Sequence, residues 1–480
     1  MHATLASLVY VCGIAGLFYL DRDNTVKTSK ALWLPVAYLW ILGSRPLSTW
    51  LGVGGGGADA QMEGSPLDAV FYGLLSIGAI IVLINRGPRA IRILSSNFPI
   101  LIYFTYCLLS VIWSDYPGVA FKRWFKATGD ILMILIVVTD EQPVAALRRL
   151  FSRLGFVLLP LSLLFIKYYP YLGRQYGAWG GEQINIGVTQ DKNMLGVITF
   201  VLSLGALWRI LALRSGDETT TDRRRHLWAQ GILLAMGLWL LTLSNSATSL
   251  VSLILGAGLL FGTRLRSMRR NPATVHVFVL SLALAAGLVM ALGGGASLTH
   301  AIGRNPTLTG RTDIWAALIP MAANPLVGAG FESFWLNPQV HARLWQLFPN
   351  LPLNEAHDGY LEMYLNLGWV GVALIVLILS DAYRRTVKAF RREPALGGLL
   401  LAYVLTVTTY NITEAGFRMM GITWIFLLLS LLEANAILAS VSVPTSRPLN
   451  APFNRPRELP ARNQQAMAPH RASYGLKGLR

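Results

Sequence analysis

A chain of 480 residues with 54% hydrophobic and only 14% charged side chains, at a mean hydropathy of +0.49, falls outside the water-soluble class, where about 25% of residues are charged. The net charge of +17 would suit nucleic acid, but the excess is spread over the short connections between long apolar runs, which sets a nucleic-acid partner aside. Cys12 and Cys107 both sit inside apolar runs, so neither a disulfide framework nor a zinc site is expected and the redox compartment is unread.

Apolar runs of span length must be helical, because lipid offers the backbone no hydrogen-bond partner. In chain order they lie near 3–20, 31–44, 69–85, 99–113, 124–139, 154–168, 195–211, 229–243, 248–262, 274–293, 367–382, 396–411 and 420–438. The second is short, and only Asn245-Ser246-Ala247 separates the eighth from the ninth. The expectation is therefore an all-α polytopic membrane protein of about 12–13 transmembrane helices. No basic segment precedes the first run, so it reads as a retained helix rather than a cleaved signal. The layout is spans 1–10 over 1–293, a long loop of short amphipathic helices over 294–366, spans 11–13 over 367–438, and a tail over 439–480. That tail is rich in Pro, Arg, Ala and Asn without periodicity, and is expected to be disordered and held near anionic lipid.

Orientation follows from lysine and arginine. With the N-terminus outside, the basic clusters Arg86/Arg89/Arg92, Arg148/Arg149/Arg153, Arg223/Arg224/Arg225, Arg264/Arg266/Arg269/Arg270 and Arg384/Arg385/Lys388 all fall in the cytoplasm, as does the C-terminus. The cations left on or opening to the outer face are Arg45, Lys122, Arg123, Lys126, Lys167, Arg174, Lys192, Arg304, Arg311, Arg343 and Arg418. Held there against the bias, they suggest an anionic ligand.

Two patterns carry nothing. Asp21-Arg22-Asp23 has the spacing of a metal and nucleotide-diphosphate site, but with no soluble α/β domain it reads as a capping or solvated loop. The glycine run at Gly52 and Gly54–Gly57 lacks the Lys-Ser/Thr of a phosphate loop. No His/Cys/Glu set has metal-ligand spacing, so neither a metal nor a cofactor is expected.

The outer loop 294–366 is different. It holds Gly310-Arg311-Thr312-Asp313-Ile314-Trp315, then Asn324-Pro325-Leu326-Val327-Gly328-Ala329-Gly330, then Ala356-His357-Asp358-Gly359-Tyr360-Leu361, which runs straight into a span. The stretch 313–322 suits a short interfacial helix. His357 sits at the membrane surface near a helix start, where a neutral imidazole can take a proton from a hydroxyl. Taken alone, a packing or surface histidine explains it as well.

The order GR-x3-W, NPLxGxG, AH[N/D]GYL, LGWxG resembles the O-antigen ligase and polymerase superfamily, above all its exopolysaccharide-polymerase branch. Trp113-Ser114-Asp115-Tyr116-Pro117 and the pair Gly173-Arg174 with Lys192-Asn193-Met194-Leu195-Gly196 resemble two further segments of it. The resemblance touches the chain from about 110 to 430. It implies a metal-independent, GT-C-like glycosyltransferase of the bacterial inner membrane. Such an enzyme works on the periplasmic face and moves an oligosaccharide from a polyprenyl (undecaprenyl) diphosphate to an acceptor sugar hydroxyl, polymerising a surface or exopolysaccharide. Arg174 and Arg311 match the arginines that would clamp the diphosphate, and His357 matches the candidate base. Asp358 stands where relatives often carry Asn, and would raise the pKa of His357 or bind a sugar hydroxyl.

Around these, Lys192, Asn193 and Tyr360 are placed to meet sugar or phosphate. Arg123 would meet phosphate or simply snorkel to the interface. Glu414 would bind acceptor hydroxyls or pair with Arg418 one turn on. The implied partners are the lipid-linked donor, the glycan acceptor, membrane lipids, and other polysaccharide-assembly and chain-length proteins. Two other readings stay open: an O-antigen ligase joining glycan to lipid A-core, and a transporter or flippase of the same lipid-linked oligosaccharide. Transporters tend towards paired halves with broken helices at the midplane, whereas this chain gathers its polar groups in one outer loop.

Overall fold

The computed structural model describes residues 2–23, 26–53, 64–176, 183–218, 220, 222–271, 273–281, 311–349 and 353–440. Residues 1–441 form one unit. Residues 282–310 and the tail from 441 lie outside the described residues, and with them the expectation of a disordered tail.

The described chain is helical almost throughout: α1 (Ala3–Leu20), α2 (Trp33–Leu42), α3 (Pro66–Asn85), α4 (Pro88–Ser95), α5 (Phe98–Leu109), α6 (Pro117–Val138), α7 (Pro143–Tyr168), α8 (Lys192–Ser215), α9 (Arg223–Ser244), α10 (Ala247–Gly262), α11 (Arg311–Leu318), α12 (Pro338–Leu347), α13 (Gly359–Arg392), α14 (Pro394–Tyr410) and α15 (Ile422–Ser440). Proline stands in the first turn of α3 to α7, of α12 and of α14. There its fixed φ suits the helix and its missing N–H costs nothing. One short antiparallel hairpin, β1 (Arg174–Tyr176) with β2 (Gln183–Asn185), interrupts the all-α pattern.

Every apolar run read from the sequence is helical over most of its described length, and the described helices that have the length and composition of a span are fewer than the runs. Seven described helices are long and apolar enough to cross a membrane, or eight if the bent pair α4 and the stretch Phe98–Trp113 is one broken span, turned by 85° at its break. Three shorter apolar helices, Lys30–Leu42, Ala247–Gly262 and Pro394–Tyr410, fall short. At 1.5 Å per residue they reach roughly 20–26 Å, less than the ~30 Å hydrocarbon core. Helix α6 has the length but carries Lys122, Arg123, Lys126 and Asp130. Only 273–281 of the tenth run is described.

Helix α1 and helix α3 bury little of their surface (11% and 17%), whereas α7, α8 and α15 are buried along most of their length (78%, 78% and 83%). The centre is an aromatic stack of Phe151, Trp208, Tyr403 and Phe426 from α7, α8, α14 and α15, with ring centroids 5.2–6.5 Å apart. Gly205 lets α8 approach the Phe151 ring closely: a β-carbon there would stand 2.7 Å from it.

The solvated-loop reading of Asp21 is corrected. Its carboxylate lies 2.7 Å from Arg209 Nη1 and 3.1 Å from His226 Nδ1, and Arg209 also reaches Glu218 at 3.3 Å. Arg209 and His226 are buried, so the paired guanidinium holds the Asp21 carboxyl below its usual range despite burial, which pushes the other way. These groups tie the end of α1 to α8 and α9.

Candidate functional site

The loop motifs position the site by backbone docking. Gly328 and Gly368 both adopt positive φ (+68° and +65°), and each faces the other's strand of backbone so closely that a β-carbon would stand 2.4 Å from Asn366 C or 2.2 Å from Leu326 C. Four hydrogen bonds seal the joint: Ala329 N to Leu365 O, Gly330 N to Asn366 O, Trp369 N to Pro325 O and Val370 N to Leu326 O, at 2.8–3.2 Å. Gly368 opens the helical ladder of α13, so the Leu365 and Asn366 carbonyls accept two of these bonds and the Trp369 and Val370 N–H groups donate the other two. Trp113 Nε1 donates to Val327 O, and Ser110 Oγ accepts from Phe331 N. The NPLVGAG, LGWVG and WSDYP segments are thus one structural joint.

The joint carries the His357 loop. Asp358 caps α13, its Oδ1 accepting from Tyr360 N at 2.8 Å and Leu361 N at 2.9 Å. Trp315 Nε1 donates to Ala356 O, and the buried Glu362 accepts from Ala356 N and Trp335 Nε1. Gly359 N donates to Asn411 O, with the Asn411 side chain so close that no β-carbon fits. Between these anchors His357 is held at φ +52°, a conformation few β-carbon-bearing residues adopt.

The side chains around it alternate in charge. His357 Nδ1 lies 2.8 Å from Glu355 Oε1 and 3.4 Å from Glu414 Oε2. Arg311 Nη2 reaches Glu414 Oε1 at 2.8 Å while its Nη1 donates to Thr413 O. Asn193 Nδ2, at the start of α8, donates to Glu414 Oε2 at 3.2 Å. On the other side Arg418 Nη1 donates to Glu355 Oε2 at 3.3 Å and its Nε stands 3.9 Å from Glu332 Oε2. Arg123 Nη1 donates to the Glu332 carbonyl. Glu332 also adopts positive φ, +52°. Partial burial opposes the charged imidazole, but the two carboxylates outweigh it and raise the His357 pKa from 6.5 to about 9. The same ion pairs hold Glu355 below its usual range.

Glu355, His357 and Glu414 offer donor atoms within 4.8 Å of one another, a spacing able to take a metal ion. Arg311 and Arg418 already sit on both carboxylates, and a divalent cation would have to displace them.

Comparison with known proteins fits this placement. Residues 232–376 match the O-antigen ligase family. The matched stretch runs from α9 into α13 and carries Arg311, Glu332, Glu355 and His357. The chain is also 28% identical over 298 residues to the exopolysaccharide production protein ExoQ of Rhizobium meliloti (strain 1021). That alignment covers 60% of this chain and 65% of the relative, so the chain spans just under two thirds of the length of ExoQ. The O-antigen ligase family is an enzyme family, and the similarity to it covers residues 232–376 of a chain whose described helices include seven or eight candidate membrane spans.

Of the residues expected at an O-antigen-ligase-like site, the structure brings together His357, Arg311, Glu414 and Asn193, with Lys192 beside Asn193 at the start of α8. Arg123 joins through Glu332 at the far end. Arg174 lies on the hairpin, where Nε donates to Ile166 O at 2.8 Å and Nη1 to Gln183 Oε1 at 3.0 Å. Tyr360 turns its hydroxyl to Thr408 O and packs its ring on Phe417. The carboxylates that raise the pKa of His357 are Glu355 and Glu414; Asp358 is not among them, and its Oδ1 is engaged in capping. Arg418 pairs with Glu355 and Glu332 instead of Glu414, because 411–421 is a non-helical loop and the one-turn spacing does not apply. Glu332 was missed altogether; its only signal is a lone carboxylate directly after the NPLVGAG segment.

Proposed function

We propose that the protein is a glycosyltransferase of the periplasmic face that transfers an oligosaccharide from a polyprenyl diphosphate to an acceptor sugar hydroxyl, extending an exopolysaccharide, without a metal. The observation that carries the reading is the convergence of Arg311, His357 and Glu414 from three separate elements at one end of the helical array. In the proposed step the acceptor oxygen attacks the anomeric carbon, the bond from that carbon to the diphosphate oxygen breaks, and the hydroxyl proton passes to His357 Nε2. Glu355 and Glu414 face Nδ1, so they orient the ring and stabilise the imidazolium that forms. Arg311 stabilises the leaving diphosphate, exchanging Glu414 for phosphate oxygens when donor binds, and Arg174 adds a second guanidinium from the hairpin. Lys192, Asn193, Arg123, Asp358, Tyr360 and Glu414 line the substrate path in this reading.

Incubating purified protein with a polyprenyl-diphosphate oligosaccharide and free glycan tests it. Longer glycan with release of polyprenyl diphosphate is the expected result. Product formed only when a lipid A-core acceptor is supplied would make the protein a ligase, and movement of intact donor across vesicles without transfer would make it a flippase.

A further inference from the structure

Arg45 lies outside the matched family segment and in none of the motifs, yet it touches the loops that carry two of the proposed donor-binding residues. Its Nε donates to Thr189 O at 3.2 Å, and its Nη2 donates to Gly187 O at 3.1 Å and to Leu172 O. Trp50 lies 5.6 Å from the guanidinium carbon and is itself fixed by a hydrogen bond to Ser44 Oγ. Those three carbonyls flank the β1–β2 hairpin on both sides. Leu172 precedes Gly173, whose carbonyl accepts from Ile186 N and Gly187 N, and Arg174 follows directly. Thr189 Oγ1 bridges to Ile186 O and Asp191 O at 2.7 Å, and Asp191 caps α8 through Asn193 N and Met194 N. Gly187 needs its positive φ of +58°, and a β-carbon there would stand 2.8 Å from Ser162. A planar five-donor fork is suited to three acceptors from two segments; an ammonium is not. Among the described residues Arg45 forms no ion pair, so its charge adds to the positive potential beside Arg174.

We propose that Arg45 is a positioning residue: by gathering the carbonyls of Leu172, Gly187 and Thr189 it sets Arg174 and the start of α8 in register for an anionic, diphosphate-bearing ligand. This rests on the donor chemistry proposed above. The alternative is a fastening that holds the fold without bearing on one substrate more than the other.

The test is steady-state kinetics on the full-length protein in detergent, with polyprenyl-diphosphate oligosaccharide and acceptor varied independently, for the parent, Arg45→Lys, Arg45→Gln and Arg174→Lys. Both Arg45 variants should raise the donor KM by about ten- to a hundredfold, the scale on which small misplacements of a positioning group act. Acceptor KM and kcat should stay within about twofold. An unchanged donor KM, or an equal loss in kcat and both KM values, overturns the proposal. If the Arg45 variants do not reach the membrane, Thr189→Val cuts the link to Asp191 while leaving the Arg45 contacts; it should raise donor KM selectively, and an unchanged value overturns the proposal. A parent protein without turnover sinks the donor reading itself. Turnover lost in Arg174→Lys but normal in the Arg45 variants sinks the positioning role alone.

Discussion

His357 occupies a left-handed backbone conformation that costs on the order of 1–2 kcal/mol for a residue with a β-carbon, and Asp358, Trp315 and Glu362 hold the loop around it. Its raised pKa, 6.5 to about 9, has consequences of known sign. The imidazolium stabilises the fold fully below about pH 6.5, and that contribution is lost as pH rises through 9. Thermal melts in detergent should therefore show the midpoint falling between pH 6.5 and 9.5 in the parent and staying flatter in His357→Gln. If His357 is the base, only its neutral form accepts the proton, so kcat/KM should rise with a limb centred near 9. Arg311→Lys should fail nearly as badly as Arg311→Ala in turnover assays, since an ammonium cannot reproduce the planar two-pronged contact. The motif residues at this scale were legible because their chemistry is local. The pairing of Arg418 with Glu355 and Glu332 was not, because it depends on a loop path that spacing along a helix cannot supply.

At the scale of elements, the glycines of the motifs do more than the polar residues beside them. Gly328 and Gly368 form a joint in which two backbones touch, and the joint fixes both the loop that carries Gly328 and the opening of α13. Alanine at either position meets backbone atoms at 2.2–2.4 Å and a positive φ. Each substitution should destabilise the protein by roughly 2 kcal/mol or more, read as a lower thermal midpoint in detergent, with double substitution less than additive because both break the same contact. Chain order was legible from the apolar runs, but helix starts were not: α6 begins at Pro117 and α7 at Pro143, well ahead of the apolar runs at 124 and 154, because polar first turns carry no apolar signal. The three helices that fall short of span length, Lys30–Leu42, Ala247–Gly262 and Pro394–Tyr410, were already short as apolar runs, at 31–44, 248–262 and 396–411. The cations at Arg45 and Lys167 have partners that their place in the sequence does not reveal: three backbone carbonyls accept from the first, and the Trp239 ring lies 4.5 Å from the second.

For the whole molecule, the proposed orientation places His341 and Asn354 outside and the turn holding Arg214 and Arg224 in the cytoplasm. Cysteines at the first pair should label in intact cells, and those at the second only after permeabilisation; the reverse pattern would remove the periplasmic site. Metal independence is tested by chelation: EDTA should leave turnover within about twofold, because Arg311 and Arg418 already neutralise Glu414 and Glu355. The most direct measurement of the central claim pairs donor binding with transfer in His357→Ala, using purified protein and a polyprenyl-diphosphate oligosaccharide. The expected result is donor affinity close to the parent's and transfer reduced by about 10²–10⁴-fold, the usual contribution of a general base. Transfer at the parental rate with normal donor binding would contradict it.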